Sequence, residues 1–484
     1  MRKYIPHLPA IILISGALLR AFTFQLSAIW YDEAVTLWRT TLPFLSLYSV
    51  KADNSGCLLL DLLLRPLMAI SHLLPATSYQ LYFLRIPSLL ASFACLFLVW
   101  KLIHALQFTP RQQLFAALFA AFLPGLLWIA QDARSYSLLS LVFLGGLWFA
   151  INGQMLGLTA CLGLLAYCHN TGFTEAGAVL AIAIYLRPWK TRRILISGLV
   201  AFIAWIPAMY HILQLTSWTL GVVQPWQPTL TLGWFVTSAL IAAWVSPNLV
   251  FQLSAFSLGL LSLGLLFSRA WKNRQRNTLL IALLLPVLIM LAIGLAGTNI
   301  LLYRTLMPML WPLVLFLGWE LGPVLPLGAN VGARYIVPFP LYRFILAGAW
   351  LALLFCGIVS WRPADRGGHL DQAAAYIRSN WQPGDVILYN TMTVSVPFDF
   401  YLSDLPHYSW QPLTASPLIA EPGLLSQDTG DPAAARRVWL VETQDALVSP
   451  SERARLQAAY PHAAPLWQID YLQAASIDVF LVER

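Results

Sequence analysis

Residues 30–37 read Trp30-Tyr31-Asp32-Glu33-Ala34-Val35-Thr36-Leu37 and follow closely on an apolar run at residues 8–26. The chain around them has 484 residues, 59% hydrophobic and only 10% charged, with a mean hydropathy of +0.68. In such a chain, two adjacent carboxylates just past a membrane-length segment point to chemistry at a lipid surface. The competing reading is an exposed acidic cap on the helix that follows.

Working outward, Met1-Arg2-Lys3 leads into the first apolar run with no small-residue cleavage site after it. That run is therefore expected to stay in the membrane with its amino end in the cytoplasm. Further apolar runs long enough to cross or nearly cross a ~30 Å core begin near Leu84, Leu114, Ser135, Met155, Phe173, Ile194, Leu249, Leu279, Leu302 and Phe344. This makes about eleven spans. The basic turns at Arg111, at Arg187, Lys190, Arg192 and Arg193, at Arg269, Lys272, Arg274 and Arg276, and at Arg334 and Arg343 then all face the cytoplasm. Residues 57–74, with Asp61, Arg65 and His72, and residues 230–246, closed by Pro247, are expected as outer interfacial or re-entrant helices. Counting both as crossings gives a thirteen-span alternative, which puts Arg192 and Arg193 outside.

The formal charge of +8 is accounted for by these short basic turns, so nucleic acid is not an expected partner. The 5 cysteines, Cys57, Cys95, Cys161, Cys168 and Cys356, sit in apolar stretches and form neither a disulfide framework nor zinc spacing.

The eleven-span topology collects the unusual polar residues on the outer face. Asp32, Glu33, Lys51, Asp53, Arg85, Asp132, Arg134, Tyr136, His169, Asn170, Tyr303 and Arg304 all fall at outer span ends or in outer loops. A hydrolase, a transferase or a transporter can use such a cluster.

These residues resemble the GT-C superfamily of membrane glycosyltransferases, which take sugars from polyprenyl-phosphate carriers and include protein O-mannosyltransferases and the lipid A aminoarabinose transferases. The resemblance rests on residues 30–37, on Leu84-Arg85-Ile86-Pro87-Ser88-Leu89-Leu90, and on Gln131-Asp132-Ala133-Arg134-Ser135-Tyr136. It continues through Ala166-Tyr167-Cys168-His169-Asn170 and Leu302-Tyr303-Arg304-Thr305-Leu306-Met307-Pro308, in the expected order. Where many bacterial members carry a His-Pro-Pro-Leu or Lys-Pro-Pro-Leu stretch, this chain reads Lys51-Ala52-Asp53-Asn54-Ser55-Gly56-Cys57-Leu58. The resemblance implies a polytopic α-helical membrane protein of GT-C fold at residues 1–360, with a first outer loop at residues 27–83. It also implies transfer, with inversion, from a polyprenyl-phosphate sugar to a hydroxyl of a lipid, glycan or protein.

That chemistry needs a base for the acceptor hydroxyl and cations for the departing phosphate. By the resemblance, Asp32 is the expected base, with Glu33 orienting the acceptor or sharing the proton. Arg134 and Arg304 are the expected phosphate contacts, because guanidinium grips phosphate bidentately and keeps its charge; interfacial arginines also snorkel to headgroups without a catalytic role. Lys51 and Asp53 can add charge from their loop, or simply be solvated. His169, beside Tyr167 and Asn170, reads as a sugar or acceptor contact or as a structural histidine. No cofactor is expected; a divalent metal on Asp32, Asp53 and His169 stays open. Tyr136, Trp218 and Trp226 can stack on a sugar or belong to an interfacial aromatic belt.

The remainder, residues 361–484, alternates helical and strand patterns: a helix at 370–380, a turn at Pro383-Gly384-Asp385, strands at 386–389, 437–441 and 477–482, and a helix at 451–459. A small soluble α/β domain follows, outside the cell membrane if the span count is odd. The other classes left standing are a flippase for lipid-linked saccharides, a glycan polymerase or ligase, and a membrane scaffold.

Overall fold

A long apolar segment in lipid must satisfy its backbone hydrogen bonds within itself, and the helix does so. The computed structural model describes residues 7–48, 58–71, 73–74, 78–210, 273–295, 303–322, 341–360, 369–410, 429–443, 450–461, 465–471 and 475–483. Helices occupy nearly every apolar run expected from the sequence: α1 (Leu8–Thr23), α2 (Tyr31–Thr41), α3 (Leu58–Ser71), α4 (Ser78–Ala105), α5 (Pro110–Phe122), α6 (Pro124–Ala130), α7 (Tyr136–Asn152), α8 (Met155–Cys168), α9 (Gly172–Leu186), α10 (Thr191–Ala204), α11 (Arg274–Leu295), α12 (Tyr303–Leu306), α13 (Leu310–Leu321) and α14 (Leu341–Ser360). The run near Leu249 and the segment 230–246 lie outside the described residues.

By length and composition, residues Tyr79–Ala105 of α4 and the whole of α11 are able to cross a membrane, and α5 with α6 makes a third such segment with a 51° bend. On α10, Leu195, Leu199 and Phe202 are all exposed, and on α1 so are Ile11, Ile14, Leu18 and Phe22. Both sets recur at helical spacing, so each forms an apolar stripe that suits lipid better than water. Helix α4 begins at Ser78, before the expected Leu84, and carries Pro87 inside it. Packed membrane helices tolerate such an interior proline when their neighbours take up the freed backbone groups.

The α5–α6 corner shows how that is done. Pro124 has no N–H to give the Ala120 carbonyl, and the bend draws the next donor away from Ala121. Buried Arg20 of α1 fills both vacancies, with Nη2 donating to Ala120 O at 2.9 Å and Nη1 to Ala121 O at 2.7 Å. Its Nε donates to Ser92 of α4 at 3.0 Å, so one guanidinium ties three elements together. Gly16 makes the approach feasible: a Cβ there would lie 2.6 Å from the Ala121 Cβ.

Between α1 and α4 the described residues are largely helical. There, buried Asp61 of α3 pairs with buried Arg39 of α2 at 2.5 Å, and this fixes the short α3 against α2. Helix α3 has 14 residues and leaves Leu62, Leu63 and Ile70 exposed.

The tail forms a mixed five-stranded sheet: β1 (Val386–Tyr389), β2 (His407–Ser409), β3 (Arg437–Thr443), β4 (Trp467–Tyr471) and β5 (Ala475–Glu483), in the order β2-β1-β3-β5-β4. Strands β1, β2 and β3 run parallel, while β5 is antiparallel to β3 and β4. Side chains divide by the strand period of two. Ile387, Tyr389, Trp439, Val441, Ile477 and Val479 join one core, and Val386, Leu388, Val438, Leu440, Phe480 and Val482 the other. The second core is covered by α17 (Pro450–Ala459) through Leu456, with Tyr460 just beyond its end. The first is covered by α15 (Leu370–Ser379), through Leu370, Ala373, Ala374 and Ile377, and by α16 (Met392–Leu402). The sequence reading foresaw α15, α17, β1, β3 and β5 but not α16, β2 or β4. Helix α16 also packs on α2, and so carries the α/β domain onto the helical body.

Candidate active site

The first turn of α2 is where the expected acidic pair separates into two environments. Consecutive helical side chains point about 100° apart, so Asp32 and Glu33 cannot share one face. Glu33 is fully buried and meets fully buried Arg85 of α4, with Nε–Oε1 at 2.9 Å and Nη2–Oε2 at 2.6 Å. Its Oε1 also accepts the Ala133 N–H at 3.0 Å. Arg85 spends its remaining donors on the carbonyls of Phe24, Ser27 and Ala28 at 3.3, 2.9 and 3.0 Å. This pair fixes the chain between α1 and α2 to α4 and to the segment after α6.

Asp32, 15% exposed, faces two cations. Arg304 of α12 pairs with its Oδ2, and Arg134 Nε lies 3.9 Å from the same atom. Arg134 Nη1 also donates to Thr36 Oγ1 at 3.2 Å, while its carbonyl accepts from Ser88 Oγ at 3.1 Å. Arg304, 23% exposed, lies over the Trp30 ring at 5.7 Å from its centroid, a cation–π contact. The Trp30 indole N–H donates to buried Asp132 Oδ1 at 3.3 Å. Asp132 and Arg134 reach this cluster because the α5–α6 corner ends at Ala130 and α7 starts at Tyr136, leaving both on the short link between them.

Tyr136 and His169 extend the cluster, with their rings 5.5 Å apart. His169 ends α8, and its Nδ1 accepts the Thr171 N–H at 3.1 Å, with the Thr171 hydroxyl at 2.9 Å. This places the proton of a neutral imidazole on Nε2. The turn there is tight: a Cβ on Gly172 would meet the Leu165 carbonyl at 2.0 Å. Asn170 occupies the same turn, partly buried. Tyr303 opens α12; its side chain, Lys51, Asp53, Trp218 and Trp226 lie outside the description, so the Asp32–Asp53–His169 metal set does too. Among the described residues, no three His, Cys, Asp or Glu side chains gather as metal ligands.

Of the expected site residues, Asp32, Arg134, Arg304, Asp132, Tyr136 and His169 stand together, while Glu33 and Arg85 lie beneath them as a buried pair. Sequence reasoning did not assign a site role to Trp30 or Thr36. Trp30 was visible as the residue opening the acidic motif, and Thr36 as one turn beyond Asp32.

The opposite ends of these helices are also basic. Arg187 donates to the Ala150 and Ile151 carbonyls at the end of α7, and Arg274 to the Tyr185 and Leu186 carbonyls at the end of α9. A cleft of about 470 Å³ lies there, lined in part by Arg187, Trp189, Asn273 and Arg274.

No protein-family model and no curated protein matches the sequence. Among solved structures, ArnT from Cupriavidus metallidurans in the apo state is similar, with a TM-score of 0.54 and 13% identity over 97% of both chains. The same protein bound to undecaprenyl phosphate gives a TM-score of 0.54 and 15% identity over 97% of both chains. The chain therefore has the fold of the GT-C membrane enzymes, as its ordered motifs implied.

Proposed function

We propose that this protein is a glycosyltransferase that moves a sugar from a polyprenyl-phosphate donor to a hydroxyl of a lipid, glycan or protein acceptor on the outer face of the inner membrane. The observation that carries the reading is Asp32, partly exposed between Arg134 and Arg304 at the helix ends. One carboxylate beside two guanidiniums is the equipment that a displacement at an anomeric carbon needs. ArnT, whose fold is shared, binds undecaprenyl phosphate, which supports a lipid-linked donor.

In this reading the donor phosphate takes up Arg134 and Arg304 and so releases Asp32 from its ion pairs. The acceptor oxygen then attacks the anomeric carbon as the bond from that carbon to the phosphate oxygen breaks. The acceptor proton passes to Asp32, the electron pair leaves with the polyprenyl phosphate, and the two cations neutralise the charge that develops. A single displacement inverts the anomeric centre. Glu33 and Arg85 hold the base in place without touching substrate, and Trp30, Tyr136 and His169 line the sugar side. The reaction uses no cofactor. The amino terminus lies in the cytoplasm, and the α/β domain, residues 361–484, on the outer side with the site.

The test is transfer in membranes supplied with a set of labelled polyprenyl-phosphate sugars. Asp32→Asn is expected to lower the rate by about 10²–10⁴-fold with folding retained. Labelled saccharide lipid crossing the bilayer, with no polyprenyl phosphate released from any donor, would replace transfer by transport.

A further inference from the structure

The peptide that leads from α1 into α2 is held from two sides. From the helical body, Arg85 binds the carbonyls of Phe24, Ser27 and Ala28. From the α/β domain, Tyr401 of α16 presents its phenol oxygen to the Ile29 N–H at 3.1 Å. Ile29 is fully buried and immediately precedes Trp30, the cap residue of α2. Trp30 makes no side-chain cap hydrogen bond at the start of α2, so the contacts to the peptide before it set the angle of entry.

We infer that Tyr401 is a positioning residue for the site: its hydroxyl closes the clamp that sets the entry of α2, and through it the placement of Trp30 and Asp32 against Arg134 and Arg304. The inference deepens the transferase reading and rests on it for the catalytic consequence. The α/β domain thereby becomes part of the active-site architecture.

Three further observations agree. Tyr401 is itself locked, its ring set edge-to-face against Phe400 at 5.0 Å and its carbonyl taking Arg378 Nη2 at 2.8 Å. Burial raises the pKa of its phenol, so the hydroxyl stays neutral at physiological pH and its oxygen remains a steady acceptor. The charges of Arg85 and Glu33 also lie near enough to act on the phenol.

The experiment compares the full-length protein with Tyr401→Phe, which keeps the ring and deletes the acceptor, and with Tyr408→Phe on β2 of the same domain. Hydrogen exchange of the Ile29 amide and of residues 30–33 is read alongside transfer kinetics and the melting temperature. Tyr401→Phe should speed exchange at Ile29 and lower kcat by roughly tenfold, with the donor KM held and the melting temperature lowered only slightly; Tyr408→Phe should leave exchange at Ile29 and kcat unchanged. Unchanged exchange at Ile29 overturns the inference whatever the activity. Faster exchange with unchanged kcat also overturns it, because the bond would then be merely structural. If the unaltered protein transfers no sugar, the transferase reading fails separately, and exchange at residues 30–33 still decides whether Tyr401 holds the α2 entry.

Discussion

The two ends of the helical body are both rich in arginine, yet they use it differently. At the basic end, Arg187 and Arg274 donate to carbonyls left over at the ends of α7 and α9, as helix C-termini invite. At the other end, Arg85, Arg134 and Arg304 meet carboxylates: a sealed pair with Glu33, and a partly open set around Asp32. An arginine on a carbonyl completes a helix. An arginine on a partly exposed carboxylate is held by a partner that an anion can replace. Exposure separates structure from chemistry here, since Glu33 and Arg85 are at 0% while Asp32 and Arg304 are at 15% and 23%.

The sharpest way to break this contrast is to empty the sealed pair. Arg85→Met leaves Glu33 buried without its cation and should cost about 3–5 kcal/mol of stability. Thermal unfolding in detergent reads the loss, and Glu33→Met together with Arg85→Met should recover most of it. Arg304→Gln is the counterpart at the open set. Its melting temperature should stay near that of the parent while transfer falls by about 10²–10³-fold. If instead Arg304→Gln unfolds early and stays active, the two sets have been assigned the wrong way round.

At the basic end, Arg187→Gln removes the cap on α7 and should cost about 1–3 kcal/mol with transfer per folded molecule unchanged. The smallest effect belongs to the α/β domain, where exposed Asp404 pairs with Arg378 at 2.7 Å. The Arg378 hydrogen bond lowers the Asp404 pKa below its ordinary 3.8. The pair's stabilisation is therefore fully present above that ordinary value and is lost as pH falls through the lowered one. Screening limits it to about 0.2–1 kcal/mol. Unfolding of Asp404→Asn and the parent should differ by this amount at pH 6 and converge in stronger acid.

Much of this was legible in the sequence because a hydropathy pattern fixes where helices end, and the ends are where Asp32, Arg134 and Arg304 stand. The GT-C fold followed from motif order. The sequence reading sets Glu33 on the acceptor or the shared proton beside Asp32, whereas helical geometry turns it away into a buried pair with Arg85, a partner 52 residues on. Tyr401 was out of reach: its partner Ile29 is 372 residues away, and no local pattern encodes that meeting. Helix α16 was hidden by Pro397 in its interior, a residue that ordinarily argues against a helix.

Arg20 imposes a condition on how the chain is made. Its two backbone acceptors in α5 lie 100 and 101 residues further along. At roughly 5–20 residues per second of synthesis, α1 carries an unmatched cation for roughly 5–20 s before Ala120 and Ala121 exist. A full charge at mid-span would strain insertion by about 2.5–3.5 kcal/mol. Arg20 lies in the last turn of its helix, where a long side chain can reach the headgroups while it waits. The first helix thus enters the bilayer as a provisional guest and becomes permanent only when the α5–α6 corner arrives to claim it.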